Sequence, residues 1–512
     1  MIGPEGGRLT TPESRVFLEV PPGALTETVE ITLVEVEGPA SAVGTVVDLE
    51  PDGLRFAQPA TLGLVFEPDR IPGGFTEDDL VAAYLEEDAW VSVLPTQVDA
   101  DAEALTALVD HFSVVGATVL AGASMRISDQ RDFGETLSNI VLDPEQPDYI
   151  VERPAEPGSG PQGLIVTKAV RIEPGVKIAF EADTNFFMQG NLDAQGTEEA
   201  PIIFEGFSAD GEPPPQAGHW RGLTLAGRSA DGLEGQFILR NAIIRHAGGA
   251  YDRPATYDGL DLLSASLGTL GNNKTTEIRD VLIEDGLGLG FDMMTYNSLA
   301  ARFVSIDRLT IRRVQGFAVG VFPATDIGEV TVEEVGDPRV WIRGGETENL
   351  RIPGIGVPFV VGMTPEEVAD YQSFFATPER EIFVQNDLRV DAGGIIEYTE
   401  EGGIRFRTDD DDDVPRLRVE GTESNPVTVR PASPGVQCDP FIVLNEGDNL
   451  IRHAVFESCS SVIIVPPRTA IRIEDTLVRD SDCVVFRSST ENTVELVRVE
   501  LDNTPRIECQ DI

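Results

Sequence analysis

Repetition is the feature that most constrains what this chain can fold into. "VRIEPGVKIAFEAD" (170–183) recurs as "LRVDAGGIIEYTEE" (388–401), and "NLDAQGTEEAPIIFEG" (191–206) recurs as "RLRVEGTESNPVTVRP" (416–431). Gly196, Thr197, Glu198 and Pro201 thereby match Gly421, Thr422, Glu423 and Pro426, and "IIRHA" (243–247) returns as "LIRHA" (450–454). A long unit has been used twice, the second time with an added acidic loop and without the stretch around "PPPQAGHWRGLTLAG". Self-similarity of this kind signals stacked units, each burying its apolar face on its neighbour.

A shorter period runs inside each copy. "NAIIRHAGG", "DVLIEDG", "RLTIRRVQG" and "EVTVEEVG" share one pattern, in which apolar residues flank one position and polar residues with a turn glycine follow. The central residues are Ile244, Ile283, Ile311 and Val332, with Phe456, Val478 and Val499 expected to play the same part in the second copy. The tightest spacings, 21 and 22 residues, suit one coil of a parallel β-helix, with alternate Ile, Val and Leu buried between rungs. The wider gap before Ile283 is expected to hold a looped-out insertion, "YDRPATYDGLDLLSASLGTLGNNKTT". "RIEPGVKIAF" and "GTEEAPIIFEG" resemble the opening coils of right-handed parallel β-helix proteins exported by bacteria. That resemblance covers about 370 residues and implies a fold, not a chemistry, since such helices serve as polysaccharide lyases and hydrolases, adhesins and other surface proteins.

Residues 2 to 118 read differently. Apolar and polar residues alternate between turn signals at the spacing of an antiparallel sandwich, and helical periodicity is nearly absent. Gly3 with Gly6 and Gly7, then "RVFLEVPPGAL", "VEITL", "WVSVLP" and "DHFSVVGATV" resemble the ZU-five domain, mostly an interaction and scaffold module. A subset of that family cleaves itself before the serine of a His-Phe-Ser sequence. Carried onto this chain, the resemblance implies Ser113 as nucleophile on the Phe112–Ser113 amide and His111 as base, with water then hydrolysing an ester. The competing expectation is that "LVDHFSVVGA" (108–117) is one short strand with Phe112 inward for packing alone.

The expected fold class is therefore all-β, an antiparallel sandwich followed by a right-handed parallel β-helix in two repeated parts. Residues 1–120 form the sandwich, 121–163 the linker and approach to the helix, 164–345 its first part, 346–386 a junction, and 387–512 its second part. Within the junction, "TPEEVADYQSFF" (364–375) predicts a short helix with Thr364 as N-cap.

Charge narrows the partners. With 88 acidic against 38 basic residues, the formal charge of −50 repels phosphate backbones and argues against nucleic acid. A protein or polysaccharide ligand and a monomeric chain are expected. Cys438, Cys459, Cys483 and Cys509 all fall in the last 75 residues, which points to disulfides and an extracytoplasmic compartment. Cys459 lies 24 residues before Cys483 and Cys483 lies 26 before Cys509, so staples between neighbouring rungs are open to either pair. No run of 18 apolar residues offers a membrane span, and no signal peptide precedes "MIGPEGG"; the leader is expected to be absent from this chain.

Other chemistry candidates are fewer. Asp409, Asp410, Asp411, Asp412 and Asp413 supply consecutive carboxylates, a weak calcium candidate because adjacent side chains on an extended loop point apart. No other cofactor is expected. "DPEQPD" (143–148) with Asp258, Asp261 and Asp292 could line a saccharide groove. His246 and His453 sit at equivalent repeat positions and are expected to act within the rung, while His219 and Trp220 form a packing corner.

Overall fold

A computed structural model describes residues 1–509 apart from 40, 73–74, 87–88, 121–123, 128–135, 142–144, 154–162, 210–211, 227–234, 250–255, 258–259, 262–264, 271–274, 295–302, 363–380, 400–401, 408–414, 438–440, 443–448 and 488–490. Among the described residues the regular elements are strands, except for short 3-10 turns at Pro68–Arg70 and Glu77–Asp79. The expected helix at 364–375 lies outside them. The chain divides into two compact units, one of Met1–Glu152, Val166–Ala179 and Leu192–Phe204, the other of Arg153–Ile165, Phe180–Asn191 and Glu205–Ile512.

In the first unit, two antiparallel sheets of five strands make the sandwich. One runs Gly7–Thr10, Val16–Val20, Arg55–Val65, Ala104–His111, Thr96–Asp99; the other runs Thr32–Val36, Val46–Glu50, Val114–Val119, Leu80–Glu86, Ala89–Val93. Alternation shows in the strands Val16–Val20 and Ala104–His111, where Val16, Leu18 and Val109 are buried in the core while Glu19, Leu108 and Asp110 are exposed; Leu62, Leu64 and Val115 join the same core. Each such side chain contributes about 1.5–3 kcal/mol by leaving water. "LVDHFSVVGA" is not one strand. The chain leaves one sheet at His111 and joins the other at Val114, so the His-Phe-Ser stretch is the crossover between layers.

Parallel pairing starts at Met125, which pairs with Tyr149, and Val170–Ile172 pairs in parallel with Leu192–Gln195. Asp148 closes this opening turn, its carboxylate accepting from the backbone N–H groups of Ile140, Val141 and Lys177 at 2.8, 3.1 and 2.9 Å. At the corner, Gly175 adopts φ +82°, a conformation open to glycine at no steric cost, and its N–H reaches the Ala200 carbonyl at 2.9 Å.

The second unit is a parallel β-helix in which each coil passes three faces. Face one is a continuous ladder: Phe186 stacks on Leu223, then Leu267, Phe291 and Val319, and the same column ends at Phe456, Val478 and Leu501. Face three carries Ile244, Ile283, Ile311 and Val332 in one column, all in mutual register as the repeat predicts. Three expectations are corrected. Phe456 and Val478 belong to face one, and the face-three column of the second part is Ile451, Ile473 and Leu496. Val499 pairs with Thr476, so the residue stacked on Val478 is Leu501, two positions on. Nor is 251–276 wholly looped out: Ala265–Leu270 is the face-one strand of its coil, while Thr256–Tyr257 and Leu260–Asp261 form a separate small hairpin.

The coil corners share one device. Asn241, Asp280 and Arg308 stack in successive coils between faces two and three, each with positive φ. His246, Asp285, Arg313 and Glu334 do the same between faces three and one. His453, Asp475 and Arg498 hold that corner in the second part, followed by Ser458, Asp480 and Asn503 at the next. Left-handed backbone costs roughly 1–2 kcal/mol outside glycine, and opposite charges on adjacent coils offset part of it, as where Arg313 Nε meets Asp285 at 2.7 Å.

Candidate functional site

The sandwich crossover concentrates more unusual geometry than any other sequence-derived candidate. Phe112 is fully buried and packs edge-on against Phe56, ring centroids 5.1 Å apart. Its backbone is held on both sides: its N–H donates to the Leu54 carbonyl at 2.8 Å, and its own carbonyl accepts from the Gly53 N–H at 3.1 Å. Gly53 stands at φ +74° with open space where a Cβ would lie. The Ser113 carbonyl in turn accepts from Leu49 at 3.3 Å. The Phe112–Ser113 amide is thus clamped between sheets, with a hydrogen-bond donor already on the carbonyl that would become an oxyanion.

His111 and Ser113 are both half-buried and flank the fully buried Phe112. They share no hydrogen bond among the described residues. His111 instead directs Nδ1 to Asp110 Oδ1 at 2.8 Å and stacks on the Tyr84 ring at a centroid distance of 4.3 Å. The Tyr84 hydroxyl lies 3.3 Å from Asp110 Oδ1 and 3.2 Å from the His111 carbonyl. Burial, reinforced by the charge on Asp110, pushes the Tyr84 hydroxyl up to about 12, so it stays a donor. The bond from His111 holds the Asp110 carboxyl below its ordinary range. Asp110 and Tyr84 escaped the reading of the sequence. Asp110 adjoins the motif and was in plain sight; Tyr84 comes from another strand, and only pairing of Val114 with Leu85 brings it near.

The remaining candidates are dispersed. Asp292 lines no groove: it is wholly buried on face one, its Oδ1 held by Arg343 Nη2 at 2.6 Å and its Oδ2 without a hydrogen bond. Burial pushes its carboxyl up, against the pull of Arg343. Asp148 is the turn closure described above, and Asp258 lies outside the described residues, as does the side chain of Asp261. Asp409 to Asp413 also lie outside them; among the described residues no group of three acidic, histidine or cysteine side chains could hold a metal. His219 Nε2 meets the Phe207 carbonyl at 2.7 Å and Trp220 stacks on Phe180 at 4.1 Å, a packing corner. His246 and His453 occupy the same kind of corner, between faces three and one.

Cys483 and Cys509 form a disulfide with Cα atoms 5.8 Å apart, joining the strands Cys483–Arg487 and Arg506–Cys509 of adjacent coils. Cys459 is also disulfide-bonded, and Cys438 lies outside the described residues. No described helix is long and apolar enough to cross a membrane.

No protein-family model matches the chain, and no curated protein matches it. Among solved structures, the Agl-KA catalytic domain aligns over 99% of this chain and 96% of its own, at 9% identity and a TM-score of 0.17, a likeness too slight to carry an argument.

Proposed function

We propose that this protein is an extracytoplasmic binding and display protein, in which an acidic β-helical body carries a small ZU-five-type interaction module. The observation that carries the reading is the Cys483–Cys509 staple across two coils of a β-helix within a chain of formal charge −50. Disulfides persist in oxidising compartments, and a strongly acidic surface favours solubility and basic or neutral partners over nucleic acid. The β-helix supplies a regular surface for a protein or polysaccharide ligand. The test is protease added to intact producing cells, with thiols trapped at lysis. Digestion of the chain with its cysteines oxidised is expected; a fully protected chain with reduced Cys483 and Cys509 overturns the reading.

A second reading, self-processing between Phe112 and Ser113, is favoured by the Gly53 N–H that already rests on the Phe112 carbonyl. Its test is the intact mass under denaturing conditions beside a Ser113→Ala variant. Two fragments from the wild type alone support cleavage. One uncut chain in both leaves the crossover as a packing feature.

A further inference from the structure

We propose that Asp110 and Tyr84 are positioning residues that lock His111 into the tautomer able to take the Ser113 proton. The proposal rests on the self-processing reading and deepens it.

A carboxylate only accepts hydrogen bonds, so the 2.8 Å contact between Asp110 Oδ1 and His111 Nδ1 requires the proton on Nδ1. The lone pair is then left on Nε2, the nitrogen a general base needs. This is the logic by which an aspartate orients histidine in serine hydrolases, here built from neighbours on one strand end. Tyr84 completes the support from the other sheet. Its ring stacks on the imidazole and its hydroxyl reaches both the Asp110 carboxylate and the His111 carbonyl, so the ring plane and the carboxylate are fixed together. Asp110 itself is exposed, with 61% of its side chain open to solvent. A packing role does not explain its place, and its replacement should leave the fold intact.

The chemistry balances with water as the co-reactant. His111 Nε2 takes the hydroxyl proton as Ser113 Oγ bonds to the Phe112 carbonyl carbon, and the Gly53 N–H faces the oxygen that gains charge. The carbon–nitrogen bond then breaks, with the proton passing from Nε2 to the departing Ser113 nitrogen. This leaves an ester between Phe112 and Ser113 Oγ. Water attacks that ester, freeing the Phe112 carboxylate and restoring the Ser113 hydroxyl behind a new amino terminus.

The experiment is a cell-free pulse-chase of the full chain, read by gel and intact mass. It compares wild type, Ser113→Ala, Asp110→Asn, Asp110→Glu and Tyr84→Phe. Cleavage should slow roughly ten- to a hundredfold in Asp110→Asn and by less in Tyr84→Phe, no more than the lower end of what a general base itself contributes, about a hundredfold, and Asp110→Glu should recover part of the rate. The tautomer is read separately, by long-range proton–nitrogen NMR of His111 in the uncut Ser113→Ala background, where adding Asp110→Asn should deplete the Nδ1–H form. A wild type that cuts while Asp110→Asn cuts equally fast, or an unchanged tautomer, overturns the positioning role and leaves self-processing standing. A wild type that never cuts ends the self-processing reading itself, and this role with it.

Discussion

The sandwich crossover at 110–113 carries the chain from one sheet to the other, whereas the β-helix corners at 241, 280 and 308 bend strands that stay within one sheet, and the two are built in opposite ways. The crossover is made once. It is fixed by a fully buried aromatic ring and by backbone bonds to Leu49, Gly53 and Leu54, some sixty residues earlier in the chain. The helix corners are made many times, each from one left-handed residue stacked on its counterpart in the next coil. A corner used once can hold an irregular arrangement such as the Asp110–His111–Tyr84 group, because the whole core supports it. A corner repeated along a ladder must be tolerable at every step, so polar side chains and alternating charge suffice.

This contrast is sharpest under truncation. Phe112→Ala should cost about 3–5 kcal/mol, the range for emptying a buried aromatic site, and should lower the sandwich's denaturant midpoint. A loss below 1 kcal/mol would mean that the backbone clamps alone hold the crossover. Removing the Cys483–Cys509 link with paired serines comes next, at about 3–4 kcal/mol for a 26-residue separation. Here the loss should be local. Hydrogen exchange should quicken around 483–509 while the sandwich is unmoved, since coils contact only neighbours; an equal change in both would break the comparison.

A single helix corner should matter less. Asn241→Val forces a β-branched side chain into left-handed backbone and should cost about 1–2 kcal/mol, whereas Asn241→Gly should be near neutral by thermal melting. If the two behave alike, the left-handed backbone is not what constrains that corner.

The smallest expected effect is in pH, and its sign differs between the units. Burial raises the Asp148 carboxyl in the first unit, so above the ordinary value of 3.8 the unfolded chain ionises more readily than the folded one. The contribution of Asp148 is therefore full below 3.8 and declines as pH climbs through the raised value. Asp285, held low by Arg313, contributes above 3.8 and loses that as pH falls through its lowered value. Denaturant melts of Asp148→Asn and Asp285→Asn against wild type should drift in opposite directions across that span, and a common direction would refute the assignment.

Particular residues mark what the chain made legible. Ile244, Ile283, Ile311 and Val332 were found as a column from spacing, because burial of every second residue leaves a pattern in the letters. The repeated "GTEEAP" and "GTESNP" turns also share geometry: Thr197 Oγ1 accepts from Ala200 at 3.0 Å and Thr422 Oγ1 from Asn425 at 3.1 Å. Assignment of Phe456 to the wrong face, and of Val499 in place of Leu501, has the same cause. All three faces bury β-branched and aromatic residues at period two, so the letters carry the period without the face or the phase. Asp292 was read as groove-lining because an acidic residue is expected outside, and its pairing with Arg343, 51 positions away, leaves no local trace.

The sequence by itself determined that this protein is all-β, that a sandwich precedes stacked coils, and that Ile244, Ile283, Ile311 and Val332 share one column. These follow from local alternation and from the turn residues that interrupt it. The tertiary structure alone decided that His111, Phe112 and Ser113 form a crossover and not a strand, that Tyr84 stacks on His111, and that Cys483 pairs with Cys509. Each of these depends on which distant segments meet across a sheet or a coil, and residues brought together by long-range pairing need not resemble one another in any way that the chain order records.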